Sequence, residues 1–452
     1  MMNPFLPALF PALGLSADTR IDVVGDGDLP SAFLVTDLAA ASFGVAGAAV
    51  AAYANPDAPK PVQIDRRLAS FWYQTSFQPR GWELPPTWDS VAGDYRTADG
   101  WIRLHTNANA HRAAALSVLN LGADRDAVTK EVATWSAMEL ESAVVAAGGC
   151  AAEMRSPEAW AQHPNGAAVA TEPLVHLETL PCDVAAKLVD PQRPLKGVRV
   201  LDLTKILAGP MASRFLAAYG ADVLRIDAPW WDEPSLLTEV TLGKRCAGLD
   251  LRNEDDRSCF KGLIAQCDVM LHGYRADALE RLGFGEEERR ALNPRMIDVS
   301  HNAFGWTGPW KNRRGYDSLV QMSSGIADTG MRCYGGDKPH PLPAQALDHA
   351  TGYFLAAAVV QGLSRRRADG VATTARLSLS RTARLLVDHM SADSNTTMAP
   401  PTLDDTVPEI EKSLWGDIAR CRFPVQMPGC AAAWDFPVGE LRTSKANFLE
   451  AA

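Results

Sequence analysis

No Lys or Arg precedes Arg20, and three prolines interrupt the opening stretch MMNPFLPALFPALGLSADTR. A secretory signal needs a basic start and an unbroken apolar run, and a membrane span needs a longer one, so this stretch fits neither. None of the eight cysteines (Cys150, Cys182, Cys246, Cys259, Cys267, Cys333, Cys421 and Cys430) forms a C-x-x-C pair or has a histidine at metal-ligand spacing. No metal site is therefore expected, and in a chain of 452 residues reduced thiols are a better reading than a disulfide framework. A cytoplasmic protein without a membrane segment follows. The apolar run 38–54 is so rich in Ala and Gly that it suits a buried helix better than a bilayer. Basic residues are also short: 44 Lys and Arg stand against 54 Asp and Glu, for a net charge of −10. That excludes a general nucleic-acid binder, and any anionic ligand must be met locally.

Hydrophobic residues make up 47% of the chain, enough for two or three domains with sizeable cores. The clearest pattern begins at PLKGVRVLDLTKILAGPMASRFLAAYGADVLRIDAP, residues 194–229. VRVLDL reads as a buried parallel strand, GPMASRFLAAYG as a helix opened near Pro210, and ADVLRID as a second strand. Further strands are expected at AGLDLRN, CDVMLHGY and NPRMIDVSHNAFG, with helices at 254–266 and ADALERLG between them. This alternation predicts an α/β fold: a Rossmann-like, doubly wound parallel sheet over 194–390. Residues 81–170 read as a smaller α+β domain, with two strand-like runs around Ala98, Asp99 and Gly100 followed by helical periodicity. Residues 171–193 read as a linker, and 391–452 as a turn-rich C-terminal segment that returns over the surface.

The familiar ligand signatures of such sheets are missing. Asp227 stands where a ribose-binding acid would be expected, but LTKILAGP has one glycine followed by proline and not G-x-G-x-x-G. The P-loop, G-x-S-x-G and H-E-x-x-H patterns are likewise absent. What is present is a repeat. LPSAFLVTDLAAASFGVAGAAVAAYA (29–54) matches LPAQALDHATGYFLAAAVVQGL (342–363): Leu-Pro, a short gap, an aspartate, then a small-residue helix. Residues 1–80 therefore read as a partial first copy with Asp37, and Asp348 belongs to the second. Either aspartate could simply cap its helix.

The order of PLKGVRVLDLTKILAGP, LGKRCAGLDLRNEDDR, DVMLHGYRADALERLGFG, GYDSLVQMSSGIADTG and DHATG closely resembles the class III CoA-transferases, a family that includes formyl-CoA and carnitine CoA-transferases and, as relatives, the α-methylacyl-CoA racemases. The likeness spans 194–364, and AGDYRTADGWIRLHTN resembles the family's small domain, which normally follows the Rossmann-like half and here precedes it.

The resemblance implies an acyl-CoA:carboxylate CoA-transferase with Asp348 as nucleophile, forming covalent aspartyl intermediates. It implies acyl-CoA and a carboxylic acid as partners, no permanently bound cofactor, and an interlocked homodimer. Carried over by position, Ile206, Leu207 and Ala208 would face the adenine end of coenzyme A, Tyr274 and Tyr316 would line its pocket, and Arg281 and Arg314 would lie near phosphate or pantetheine. The helix N-terminus at Asp348 would offer N–H groups to a developing oxyanion. The racemase relatives carry histidine where Tyr316 stands, which ranks transferase above racemase. This chain departs from the family at Gly273, where an asparagine is usual, and at Ala228, where a basic residue is. An isomerase of the same superfamily and a non-catalytic CoA-thioester-binding subunit are the alternatives. His105 and His111 carry no carboxylate partner nearby in sequence, and His349 reads as structural.

Overall fold

VRVLDL becomes the strand Arg199–Asp202, buried at every residue except Arg199, because both faces of a doubly wound sheet are covered by helices. The computed structural model describes residues 3–183, 189–275, 277–390 and 397–450. In it a seven-stranded sheet runs, from one edge, Lys244–Gly248, Asp222–Asp227, Arg199–Asp202, Val269–His272, Ile297–Asn302, Val371–Ser378 and His176–Pro181. The first six strands are parallel. In chain order they follow the doubly wound Rossmann pattern, so the winding reverses between Arg199–Asp202 and Val269–His272. A crevice opens at the carboxyl ends of strands at such a reversal.

The last strand, His176–Pro181, corrects the linker expectation for 171–193: it pairs antiparallel with Val371–Ser378 and closes the sheet edge. Its residues are nearly all exposed, so no alternation of apolar and polar residues marked it, and its partner's free edge supplies the pairing. The C-terminal segment is likewise more regular than expected. Thr406–Ser413 pairs with Gly416–Cys421, which pairs with Phe77–Arg80. Pro408 and the charges of the outer strand suit a solvent-facing edge. Residues 184–188 of the expected linker, Ala276 of ADALERLG and 391–396 of the C-terminal segment lie outside the described residues.

Between residues 93 and 153, three antiparallel strands, Gly93–Arg96, Trp101–Leu104 and Ala151–Glu153, pack with the helices Asn109–Leu119, Arg125–Val132 and Ala137–Ala146 around Tyr95, Ile102, Leu104, Val128 and Leu140. Asp124 and Ser136 cap the second and third of these helices.

The repeat extends further than the sequence indicated. Strand Ile21–Val24, helix Val35–Ala54, parallel strand Val62–Asp65 and helix Arg66–Gln74 recur as Ile297–Asn302, Ala346–Asp369, Val371–Ser378 and Leu379–Val387. Asp65 caps the closing helix of the first copy and Ser378 that of the second. The two long helices pack on each other in the interior, with Phe43 and Tyr353 rings 3.8 Å apart. Val35–Ala54 is long and apolar enough to cross a membrane, but it is buried as a core helix. Its apolar length therefore reflects the core it fills.

Candidate active site

At the reversal point lies a cavity of about 530 Å³, a size suited to a small organic ligand. Asp348 reaches it from the first turn of helix Ala346–Asp369. That helix approaches Ala208–Ala218 closely at Gly352, where a Cβ would stand 2.4 Å from the Ala208 carbonyl oxygen. Only glycine allows the two helices to meet there, and their contact fixes Asp348 at the cavity wall.

The capping explanation for Asp348 does not hold. Its side chain makes no capping bond, and its backbone N–H donates instead to the Asp317 carboxylate, at 2.9 Å. The Asp348 N–H is thereby occupied and is not free to donate to a developing oxyanion. Asp317 is steadied by Gln321, whose Nε2 donates to Oδ1 at 2.5 Å and whose Oε1 accepts from the Leu342 N–H at 2.8 Å. Asp348 is only 7% exposed, and among the described residues nothing hydrogen-bonds its carboxylate. Burial, then the neighbouring Asp317, push its pKa well above the usual aspartate value. Burial also raises Asp317, but the Gln321 amide and the Asp348 and Leu347 N–H groups oppose the rise. Asp348 is thus the carboxylate without donors and Asp317 the one with them.

Of the positions expected to bind coenzyme A, Ile206, Tyr274, Arg314 and Tyr316 line this cavity with Asp348. Leu207 and Ala208 are buried behind it, at the start of helix Ala208–Ala218. Arg281 turns away, 68% exposed and paired with Asp277. Ile206 holds a left-handed backbone, φ 64°, which a β-branched residue rarely adopts. Its N–H donates to Glu233 at 2.9 Å, and Glu233 in turn binds Arg225 and Trp231. Asp227 is consumed by Arg225 and Lys205, so no ribose-binding acid is left there.

Several lining residues escaped the sequence reading, Arg275 among them. Arg275 and the expected Arg314 both face the cavity, and neither forms an ion pair among the described residues. Burial, then the Arg314 charge, lower the Arg275 pKa, against an opposing pull from Asp277. Arg252 lies 3.9 Å over the Trp230 ring at the mouth. Trp306 and Trp310 do not line the cavity. His301 occupies the space that Gly273 leaves: a Cβ there would stand 2.4 Å from His301 Cε1. Burial, then His272, lower His301 to about 4, so the ring is neutral. The spacing of Gly273 and His301 in sequence gave no sign of this exchange.

Tyr316 draws in the small antiparallel unit. His105 stacks on its ring at 3.8 Å and 6°, and His111 Nδ1 lies 3.5 Å from its hydroxyl. Burial, then Arg103, lower His105 to about 3, while burial, then Arg314, lower His111 to about 4. Both imidazoles are neutral at physiological pH, and among the described residues no group of side chains could hold a metal. His349 stacks on Tyr73 at 4.9 Å, as a structural residue would.

The sequence model for CoA-transferase family III matches residues 195–413, the part that carries the sheet and Asp348. Similar relatives include the "Probable fatty acyl-CoA transferase Rv3272" of Mycobacterium tuberculosis, 33% identical over 42% of this chain and 51% of that protein. An "Acyl-CoA transferase" of Gibberella moniliformis is 30% identical over 61% and 53%. The "Succinyl-CoA:glutarate CoA-transferase" of Mus musculus is 33% identical over 40% and 44%. The chain spans about half the length of the curated relatives it matches. Among solved structures, the orthorhombic form of Rv3272 from M. tuberculosis aligns at 32% identity over 42% of this chain and 57% of that one, with a TM-score of 0.39.

Proposed function

We propose that the chain transfers coenzyme A from an acyl-CoA to a carboxylic acid through covalent intermediates on Asp348. The observation that carries this reading is a buried carboxylate with no hydrogen-bond donor, facing a cavity with two unpaired guanidiniums. The arginines suit the phosphates of coenzyme A, because each planar fork can donate twice to one phosphate. Tyr274 and Ile206 supply apolar walls.

The ionised Asp348 oxygen attacks the thioester carbonyl, the C–S bond breaks, and a mixed anhydride and CoA thiolate result. The thiolate then attacks the aspartyl carbonyl, releasing the first acid as carboxylate and leaving an aspartyl-CoA thioester. The acceptor carboxylate attacks that thioester, and the expelled thiolate takes the acceptor's acyl carbon, which restores Asp348. Dividing one difficult exchange into these displacements is the catalytic gain. A carboxylate stripped of donors is more basic and hence more nucleophilic once ionised, at the cost of a smaller ionised fraction near neutral pH.

The test is CoA exchange between a panel of acyl-CoAs and acids, with intact-mass detection of an adduct that hydroxylamine removes. Exchange that depends on Asp348 supports the reading; CoA binding without exchange or adduct contradicts it. His111 beside the Tyr316 hydroxyl favours one second reading, proton exchange at the carbon next to the thioester, with Asp348 as the opposite acid. Deuterium uptake from D2O at that carbon without acyl transfer would select it. The homodimer remains part of this proposal, and sedimentation equilibrium tests it.

A further inference from the structure

A second cleft, of about 660 Å³, lies between the small antiparallel unit and the loop leading into the Asp348 helix. It shares no lining residue with the Asp348 cavity. Four cations line it, Arg96, Arg103, Arg125 and Lys338, against a single carboxylate, Asp94, which Arg103 already binds at 2.7 Å. Arg96, Arg125 and Lys338 form no ion pair among the described residues. The excess positive charge calls for an anion.

Three of the four cations lie beside aromatic rings. Arg103 lies 4.6 Å over the Trp88 ring, Arg96 lies 5.5 Å over Trp101, and Arg125 lies 5.4 Å over Tyr95. Each of these guanidiniums is held beside an aromatic ring, and Arg125 Nη1 also donates to the Ser90 and Ala92 carbonyls, so cations and rings line the cleft together. A planar guanidinium fork matches a planar carboxylate, and the rings match an apolar body attached to it. Two polar groups of the lining, Ser318 Oγ and Trp101 Nε1, are buried and have no partner among the described residues. Gln321, also on the wall, is the residue that donates to Asp317, so one hydrogen bond links the cleft wall to the carboxylate pair.

We propose that this cleft binds an organic carboxylate with an aromatic or branched apolar body. The assignment does not rest on the transferase reading, and its test does not use activity. The full chain is titrated with benzoate and with isovalerate, followed by calorimetry and tryptophan fluorescence. Saturable binding of at least one is expected. Benzamide, with the same ring and no charge, should fail to compete, and inorganic phosphate should compete only at about ten-fold higher concentration or more, because it lacks the apolar body. Arg96 and Lys338 are both exposed, so the Arg96→Ala/Lys338→Ala variant should fold. It is expected to weaken binding by about ten-fold or more, while Asp348→Asn leaves binding unchanged. Absence of saturable binding by both acids, equal binding by the double variant, loss in Asp348→Asn, or equal competition by benzamide or phosphate would each overturn the assignment.

Discussion

The helices Val35–Ala54 and Ala346–Asp369 both carry an aspartate as third residue, both precede a strand whose last residue caps the next helix, and they lie against each other. The residue that opens the next helix differs: Arg66 in the first copy, Leu379 in the second. Arg66 binds Asp28 at 2.6 Å and reaches Asp37 at 3.5 Å, and the Asp37 side chain is 25% exposed. Leu379 lines the cavity with Asp348, whose nearest charged neighbour is another carboxylate. Burial raises both aspartates, but a cation opposes the rise at Asp37 and an anion adds to it at Asp348. The same local fold thus yields an ion-paired acid in one copy and, in the other, a buried carboxylate whose charged form is disfavoured and which we propose as the nucleophile; charge in the surroundings makes the difference.

The largest expected effect is at the second aspartate. Asp348→Asn should lower exchange by about 10³-fold or more, while Asp37→Asn stays within about two-fold, both read as kcat/KM. Importing the first copy's solution should disable the second: Leu379→Arg is expected to pair with Asp348 and cut exchange by about 10²-fold, with the acid limb of the pH profile moved lower. If that variant exchanges CoA like the wild type, the charge contrast is not what separates the two copies.

Asp317→Asn tests the like-charge half of the argument. In the proposed mechanism ionised Asp348 is the active form, so activity should rise with pH through its raised pKa. Removing the neighbouring charge should lower that pKa and move the rising limb to lower pH. Stability follows the same logic with its own sign. A carboxyl whose folded pKa is raised keeps its proton after the unfolded chain has lost it, so wild-type stability falls as pH rises from the usual value of 3.8 through the folded pKa. Asp348→Asn, which does not ionise, should therefore gain in Tm over the wild type across that window, with the gap smallest below it. The smallest effect is expected from Arg66→Leu, which breaks a partly exposed pair. It should cost about 1 kcal/mol in denaturant unfolding and leave exchange unchanged.

The sheet could be read in the sequence because strands such as Val269–His272, with Val269, Met270 and Leu271 in succession, are buried at every residue and so carry an unbroken apolar run. His176–Pro181 could not, since its order comes from its partner and not from its own pattern. Asp348 was legible through motif order, yet its environment was not. That Asp317 takes the Asp348 N–H depends on how two helices meet, and His111 reaches Tyr316 across 205 positions. The repeat was visible as Leu-Pro and an aspartate, but the residue that sets the two copies apart lies beyond the next strand, at Arg66 and Leu379, where the sequences no longer look alike.

The most direct measurement is peptide mapping of the wild type after brief exposure to a reactive acyl-CoA, with borohydride used to reduce the aspartyl thioester in place. The account predicts reduction of one aspartate to the corresponding alcohol in the peptide that holds Asp348, and an unmodified peptide around Asp37. Modification at Asp37, or at neither aspartate despite CoA turnover, would contradict it.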